Sequence, residues 1–164
     1  MQIELHLPQR SESSPHPQDY NPELDDIRSI LSDVCDLAAP HGRFVVSGFG
    51  QDPWPVDVKT DLVVLLEQLP GALLAVSSGA AFEVDFYEQG IERKIDFSPL
   101  GDGYVVSCCS YGNWQPAPSV ENIDRTSLTR MLTAVRDEFL QFMRSSYPNL
   151  ALHPWVRSWL QGAS

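Results

Sequence analysis

Residues 81 to 111 constrain the fold more than any other stretch of this chain. They read Ala-Phe-Glu-Val-Asp-Phe-Tyr, Glu-Gln-Gly, Ile-Glu-Arg-Lys-Ile-Asp-Phe, a Ser-Pro-Leu-Gly-Asp-Gly turn, and Tyr-Val-Val-Ser-Cys-Cys-Ser-Tyr. Two segments alternate apolar and polar residues and the third is β-branched and small, the pattern of an antiparallel meander with one dry and one wet face. A two-residue turn at Gln89-Gly90 sets Phe86 opposite Arg93, Val84 opposite Ile95 and Phe82 opposite Phe97. On the other face Asp85 then meets Lys94 and Tyr87 meets Glu92. A slip of one residue would put Phe82 and Val84 opposite Asp96 and Lys94, so the first register is the one expected.

The preceding residues supply two further strands and a helix. Residues 2–7 alternate strictly, with Ile3, Leu5 and Leu7 toward the core. Residues 8–20 are polar, carry three prolines and read as a flexible loop. Asn21-Pro22-Glu23 is a helix start, and Leu24, Ile27, Ile30, Leu31, Val34 and Leu37 then recur at helical spacing until Pro40 and Gly42. Residues 43–50 read as a strand, followed by a loop in which Trp54 lies between prolines. A short helix over Leu62–Leu69 is expected to stop at Pro70-Gly71. Residues 72–78 fit either a buried strand or an extension of that helix, and the flanking Gly71 and Gly79 favour the strand.

After the meander, residues 112–119 form a proline-bearing loop that carries Trp114. Asp124 then caps the longest helix, whose stripe of Leu128, Met131, Leu132, Val135, Phe139, Phe142 and Met143 is core. A final short helix opens at His153-Pro154, with Trp155 and Trp159 pinning it to the body. These elements define a single α+β domain over residues 1–164, with one antiparallel, meander-type sheet of five or six strands. Two main helices, beginning at Asn21 and Asp124, are expected to pack on its apolar face. No apolar run approaches 18 residues and no leader-like segment opens the chain, so neither a membrane span nor export is expected. Three cysteines, two of them adjacent, fit a reducing cytoplasm.

Charge bears directly on partners. Residues 1–100 hold 17 acidic against 6 basic side chains, and residues 101–164 hold 5 of each, so the net −11 belongs to the first hundred. That distribution argues against nucleic acid, whose binders present a basic footprint. It suits a protein partner with a basic surface. The wet face of the meander offers Glu83, Asp85, Tyr87, Glu92 and Asp96, and with the Trp54 and Trp114 loops these are the candidate partner-binding residues.

Catalytic and cofactor motifs are not found. The histidines at 6, 16, 41 and 153 lack ligand spacing, so no metal is expected. There is no phosphate loop and no nucleophile elbow, and the carboxylates of a flat sheet face make no cleft. A cysteine-dependent enzyme using Cys108 or Cys109 is the one catalytic alternative. The expected register places Cys108 across from Arg93, whose charge would favour a thiolate.

In length, acidic excess, the antiparallel Phe82–Tyr111 sheet with flanking helices, and the Trp54 and Trp114 loops, the chain resembles the small acidic immunity proteins of bacterial toxin–immunity systems. The resemblance implies a cytoplasmic domain without enzymatic activity or cofactor that neutralises a toxin by direct one-to-one binding. No individual residue role is carried over. A second likeness is to acidic secretion chaperones, often dimeric, which would bind an effector protein; those lead with a helix, whereas this chain leads with a strand. Monomer and dimer both stay open.

Overall fold

The computed structural model describes residues 1–9 and 19–162. The elements run β1 (Gln2–His6), α1 (Ile27–Ala38), β2 (Arg43–Ser47), α2 (Asp61–Ser78), β3 (Phe82–Phe86), β4 (Arg93–Leu100), β5 (Gly103–Ser110), β6 (Val120–Asp124), α3 (Arg125–Ser146) and α4 (Pro154–Leu160), with a 3-10 turn at Leu150–Leu152. The class is α+β. The expected loop at 8–20 falls largely on residues 10–18, outside the described residues.

The single sheet expected from the sequence is instead two antiparallel sheets, β1-β2 and β3-β4-β5-β6. Their edges explain the division. The β1 edge is taken by α3, where Met131 Sδ accepts the Ile3 amide at 3.1 Å and Glu138 accepts the Leu7 amide at 2.8 Å. The β3 edge is taken by α2. Gln68 accepts the Asp85 amide at 2.8 Å and donates to the Asp85 carbonyl at 3.0 Å, as a neighbouring strand would. With those groups satisfied by helix side chains, the two ladders do not join. Gln68→Ala is accordingly expected to cost about 1–2 kcal/mol, seen as a lower urea midpoint at unchanged slope.

The expected register between β3 and β4 is the one observed, from Phe82 opposite Phe97 to Phe86 opposite Arg93. The turn differs. The ladder stops at Phe86–Arg93, and the Glu88 carbonyl accepts from both Ile91 and Glu92 in a wider loop. Gly90 and Glu92 take left-handed φ of 104° and 48° there, so Tyr87 and Glu92 are not ladder partners. β6 occupies the short stretch between the 112–119 loop and the Asp124 cap, for which the sequence pattern predicts no element.

The two main helices expected are joined by α2, an 18-residue helix, and the short α4. Residues 72–78 are helix, not strand. Gly79 marks a helix end, with φ 70° and its amide bonded to Ala75 and Val76 carbonyls. Pro70 does not stop the helix. It has no N–H for the Leu66 carbonyl four residues back, and the Trp159 indole supplies one at 2.8 Å in the buried interior. Read as one piece, α2 is long and apolar enough to cross a membrane by length and composition; half of it is buried inside this fold.

At the N-terminal side, α1 starts later than Asn21. Asp26 is its cap, accepting from the Arg28 amide, while Asn21 closes a turn that leaves Leu24 exposed. Asp124 caps α3 as expected, accepting from the Ser127 amide at 2.8 Å.

The core is shared by the inner face of the four-stranded sheet, helices α1, α2 and α3, and the inward residues of β1-β2. Phe82 and Phe97 stack there at 4.3 Å, and Val84, Ile95, Tyr104 and Val106 are buried beside them. Beyond β2 the chain reverses sharply, with Gly48, Phe49 and Gly50 all at positive φ. A Cβ on Gly50 would stand 2.0 Å from the Ala117 carbonyl oxygen, so only glycine fits. The Phe49 carbonyl accepts from Ala117 at 2.9 Å. That contact brings the Trp54 and Trp114 loops together, their ring centroids 5.8 Å apart.

Candidate functional site

The structure distributes the candidate residues over three places. The first is the outer face of β3-β4-β5-β6. Strand alternation puts Glu83, Asp85, Lys94, Asp96, Ser107 and Cys109 on it, and all are exposed or half-buried. Lys94 Nζ lies 3.2 Å from Glu83 Oε2 and 3.2 Å from Asp96 Oδ1. Hydrogen bonds to those two carboxylates hold its ammonium well above the ordinary lysine range. Asp85 stands outside the arrangement. Its Oδ1 is sealed from solvent without a donor. Desolvation, helped by the Glu83 and Asp96 charges and opposed by Lys94, pushes its carboxyl above the usual value. Two carboxylates therefore share the Lys94 ammonium, and the third has none.

Tyr87 belongs elsewhere. Its hydroxyl donates to Glu67 at 2.8 Å and accepts from Arg28 at 2.6 Å, and Arg28 also reaches Glu88 at 2.9 Å. This network ties α1, α2 and the end of β3 together, so Tyr87 acts as a brace rather than a plate anchor. Beside it, a cleft of about 580 Å³ opens between the start of α1, α2 and α4, with Asp25, Asp26, Glu67 and Trp155 on its walls.

The third place is organised by Arg93, which occupies an inward position of β4 opposite Phe86. It is only 3% exposed. Its guanidinium carbon sits 3.7 Å from the centroid of Trp114 and 4.4 Å from that of Trp54. Trp54, expected on an exposed loop, is itself buried at 2% exposure, donates its indole N–H to the Gly48 carbonyl, and packs against Phe49 and Phe86. Arg93 Nε and Nη1 are sealed from solvent and have no acceptor. Desolvation disfavours the charged form, the Cys108 thiol being the one neighbour that opposes this. Two desolvated cation–π contacts at about 2 kcal/mol each offset part of the cost of burying an ion. They leave the in-plane N–H donors unused.

Arg93 forms part of the wall of a cleft of about 640 Å³, with Gln51, Glu92, Ser110, Tyr111 and Trp114. Gln51 Oε1 is also buried without a partner. Cys108 is on the same inner face, but Ile95 stands across from it and Ser110 stands across from Arg93, two residues further along than the expected register. Burial pushes the Cys108 thiol up to about 11, outweighing the pull of Arg93. Cys109 is on the wet face, and no histidine lines the cleft. Among the described residues, no group of three or more His, Cys, Asp or Glu side chains could hold a metal ion.

The structure thus keeps Glu83, Asp85 and Asp96 together, moves Tyr87 to the Arg28 network, and gathers Trp54, Trp114 and Glu92 around Arg93. The sequence reading used Arg93 only as a neighbour of Cys108 and did not place it among the candidate binding residues. The available signal was its own register, which set a charged residue opposite Phe86 on the apolar face. Comparison with protein-family models, with curated proteins and with solved structures finds no match to this chain.

Proposed function

We propose that this chain is a non-enzymatic protein-binding protein whose partner presents a basic surface, and that it acts as an immunity protein, blocking a toxin one-to-one. The observation that carries this reading is the outer sheet face, where the Lys94 ammonium pairs with Glu83 and Asp96 and leaves Asp85 beside them without an ion-pair partner. Local negative charge left uncompensated favours encounter with a cationic partner and is completed by it. The excess of acid in residues 1–100 extends the same field. The high thiol pKa of Cys108 weakens the cysteine-enzyme alternative, because a protonated thiol is a poor nucleophile.

Reversal of the face tests the reading. A partner is captured from the source cell by affinity pull-down, identified by mass spectrometry, and its association measured against ionic strength. The double variant D85K/D96K is expected to slow association at low salt by about tenfold or more and to flatten the salt dependence. Co-expression of the wild type, but not of the variant, should relieve growth inhibition by the captured protein. Unchanged association in a variant that keeps the wild-type circular dichroism would reject this face. A partner that inhibits no growth would reject the immunity role.

A further inference from the structure

We propose that the cleft between the start of α1, α2 and α4 is a docking groove for an apolar polypeptide segment of a partner, with a lysine or arginine at one end of that segment. This inference is independent of the acidic sheet face, and its probes do not address that face.

The groove is apolar along its length. Pro22, Ile27, Pro70, Trp155 and Trp159 line a volume of about 580 Å³, within the range of sites that bury most of a ligand's surface. A smaller cleft of about 160 Å³ adjoins it, sharing Pro70 and Trp159 and continuing to Leu74 and Leu160. Those two leucines are 54% and 39% exposed. Joined apolar surface of this kind marks a site of protein interaction. Glu67, Gly71 and Leu74 follow one face of α2 at i, i+4 and i+7, about 10 Å along the axis, which suits several side chains carried on one backbone.

Gly71 opens the groove. It lies inside α2, where glycine is among the least favourable residues. A Cβ built on it would meet nothing within 4 Å, and its φ is not positive, so neither packing nor backbone conformation in this fold demands a glycine. What the missing side chain provides is room on the groove wall.

The charge of the wall selects the occupant. Asp25, Asp26 and Glu67 stand on it, and among the described residues no Lys, Arg or His lines the cleft. Glu67 is engaged by Arg28 at 3.3 Å. Asp25 accepts from the Asn21 amide and the Ser29 hydroxyl, and Asp26 from the Arg28 amide. Neither enters an ion pair among the described residues. Trp155 lines the same cleft. Two uncompensated carboxylates and an indole are complementary to an ammonium or guanidinium. A second copy of this chain fits poorly, since it brings a net charge of −11 of its own.

The test uses the whole chain with 4-phenylbutylammonium, its neutral analogue 4-phenylbutanol and its anionic analogue 4-phenylbutyrate. Binding is read from the Gly71 amide and Trp155 indole N–H signals in nitrogen-15 spectra. The ammonium is expected to shift both saturably at millimolar concentration, with the alcohol about fivefold weaker and the carboxylate about twentyfold weaker. Asp25→Asn combined with Asp26→Asn keeps the acceptors, the helix cap included, and should bring the ammonium within about twofold of the alcohol. Gly71→Leu fills the groove with a better helix former, so it should hold or raise the urea midpoint while weakening ammonium and alcohol about tenfold or more. The peptide acetyl-Lys-Leu-Ala-Ala-Leu-amide extends from the cation site toward the second cleft and should bind about tenfold more tightly than the ammonium. Leu74→Gln should remove that advantage and leave the ammonium unchanged. The Asp and Leu74 variants carry the test independently of Gly71→Leu. No shift with the ammonium at about 50 mM overturns the proposal, as does equal binding of the carboxylate. A peptide no tighter than the ammonium, or indifferent to Leu74→Gln, overturns the polypeptide assignment in favour of a free amine. Self-association in sedimentation velocity that Gly71→Leu abolishes would put a second copy in the groove and overturn it too.

Discussion

Trp159→Ala should cost about 4–5 kcal/mol, enough to remove much of the stability of a domain of this size. Two terms combine. The side chain is 5% exposed and packs edge-on against Phe139 at 6.2 Å, so its removal leaves a large apolar void. Its indole N–H also donates to the Leu66 carbonyl at 2.8 Å, where Pro70 has no N–H to offer the α2 ladder. Trp159→Phe separates the terms, because it keeps most of the packing and removes only the donor. The cost should then be about 2 kcal/mol, the price of an orphaned buried carbonyl.

Pro70→Ala tests the mechanism behind that number. Alanine restores an N–H at position 70, so Leu66 regains its normal helical partner. In the Pro70→Ala background Trp159→Phe should cost about 1 kcal/mol less than in the wild type, a coupling measurable by a double-mutant cycle in urea. Equal costs in the two backgrounds would show that the indole acts by packing alone.

The same contact explains why α2 was hard to read. Residues 61–78 carry apolar side chains all round, so periodicity could not distinguish helix from strand, and Pro70-Gly71 is ordinarily a stop. What cancels the stop is a tryptophan 93 positions away. Likewise, the division into two sheets is decided by Gln68, Met131 and Glu138, polar or flexible helix residues that no strand pattern identifies as edge covers. Local rules sufficed where partners are close in sequence. The β3–β4 register followed from alternation, since any slip would have buried Asp96 and Lys94. Asp124 before the Leu128–Met143 stripe likewise announced α3.

For the candidate site the division runs the same way. Glu83, Asp85 and Asp96 share a face because strand geometry requires it. Tyr87 left that face because β3 ends one residue earlier, at Phe86, and Arg28 from α1 was there to bond it. The Arg93 clamp needed two loops, around residues 54 and 114, to meet through the Phe49–Ala117 contact. Their shared Trp-Pro character showed in the sequence, but their meeting place did not.

The second large effect concerns pH and rests on Asp61, at the first position of α2 and 5% exposed. Burial pushes its carboxyl up from 3.8 to about 6, against the pull of the hydrogen bond from the Asp57 amide at 2.8 Å, with the Asp57 and Glu88 charges adding to the rise. The folded chain therefore binds more protons at this site than the unfolded chain between those two values. Stability from this group is greatest below about 4, declines as pH rises to about 6, and stays reduced by about 3 kcal/mol above that. Asp61→Asn cannot ionise and still accepts from Asp57, though it gives up the favourable charge at the positive end of the α2 dipole. The variant is expected to be more stable than wild type by about 2 kcal/mol near pH 8, with the advantage vanishing toward pH 4. Subtracting the two urea-derived stability curves isolates Asp61 from carboxylates such as Glu121, whose pKa is shifted the other way: its burial is outweighed by hydrogen bonds from the Met1 amino group and the Phe49 amide. A difference that is flat across that range, or that grows on acidification, would show that Asp61 is charged in the folded state at no cost, and that α2 begins with a paired carboxylate rather than a buried one.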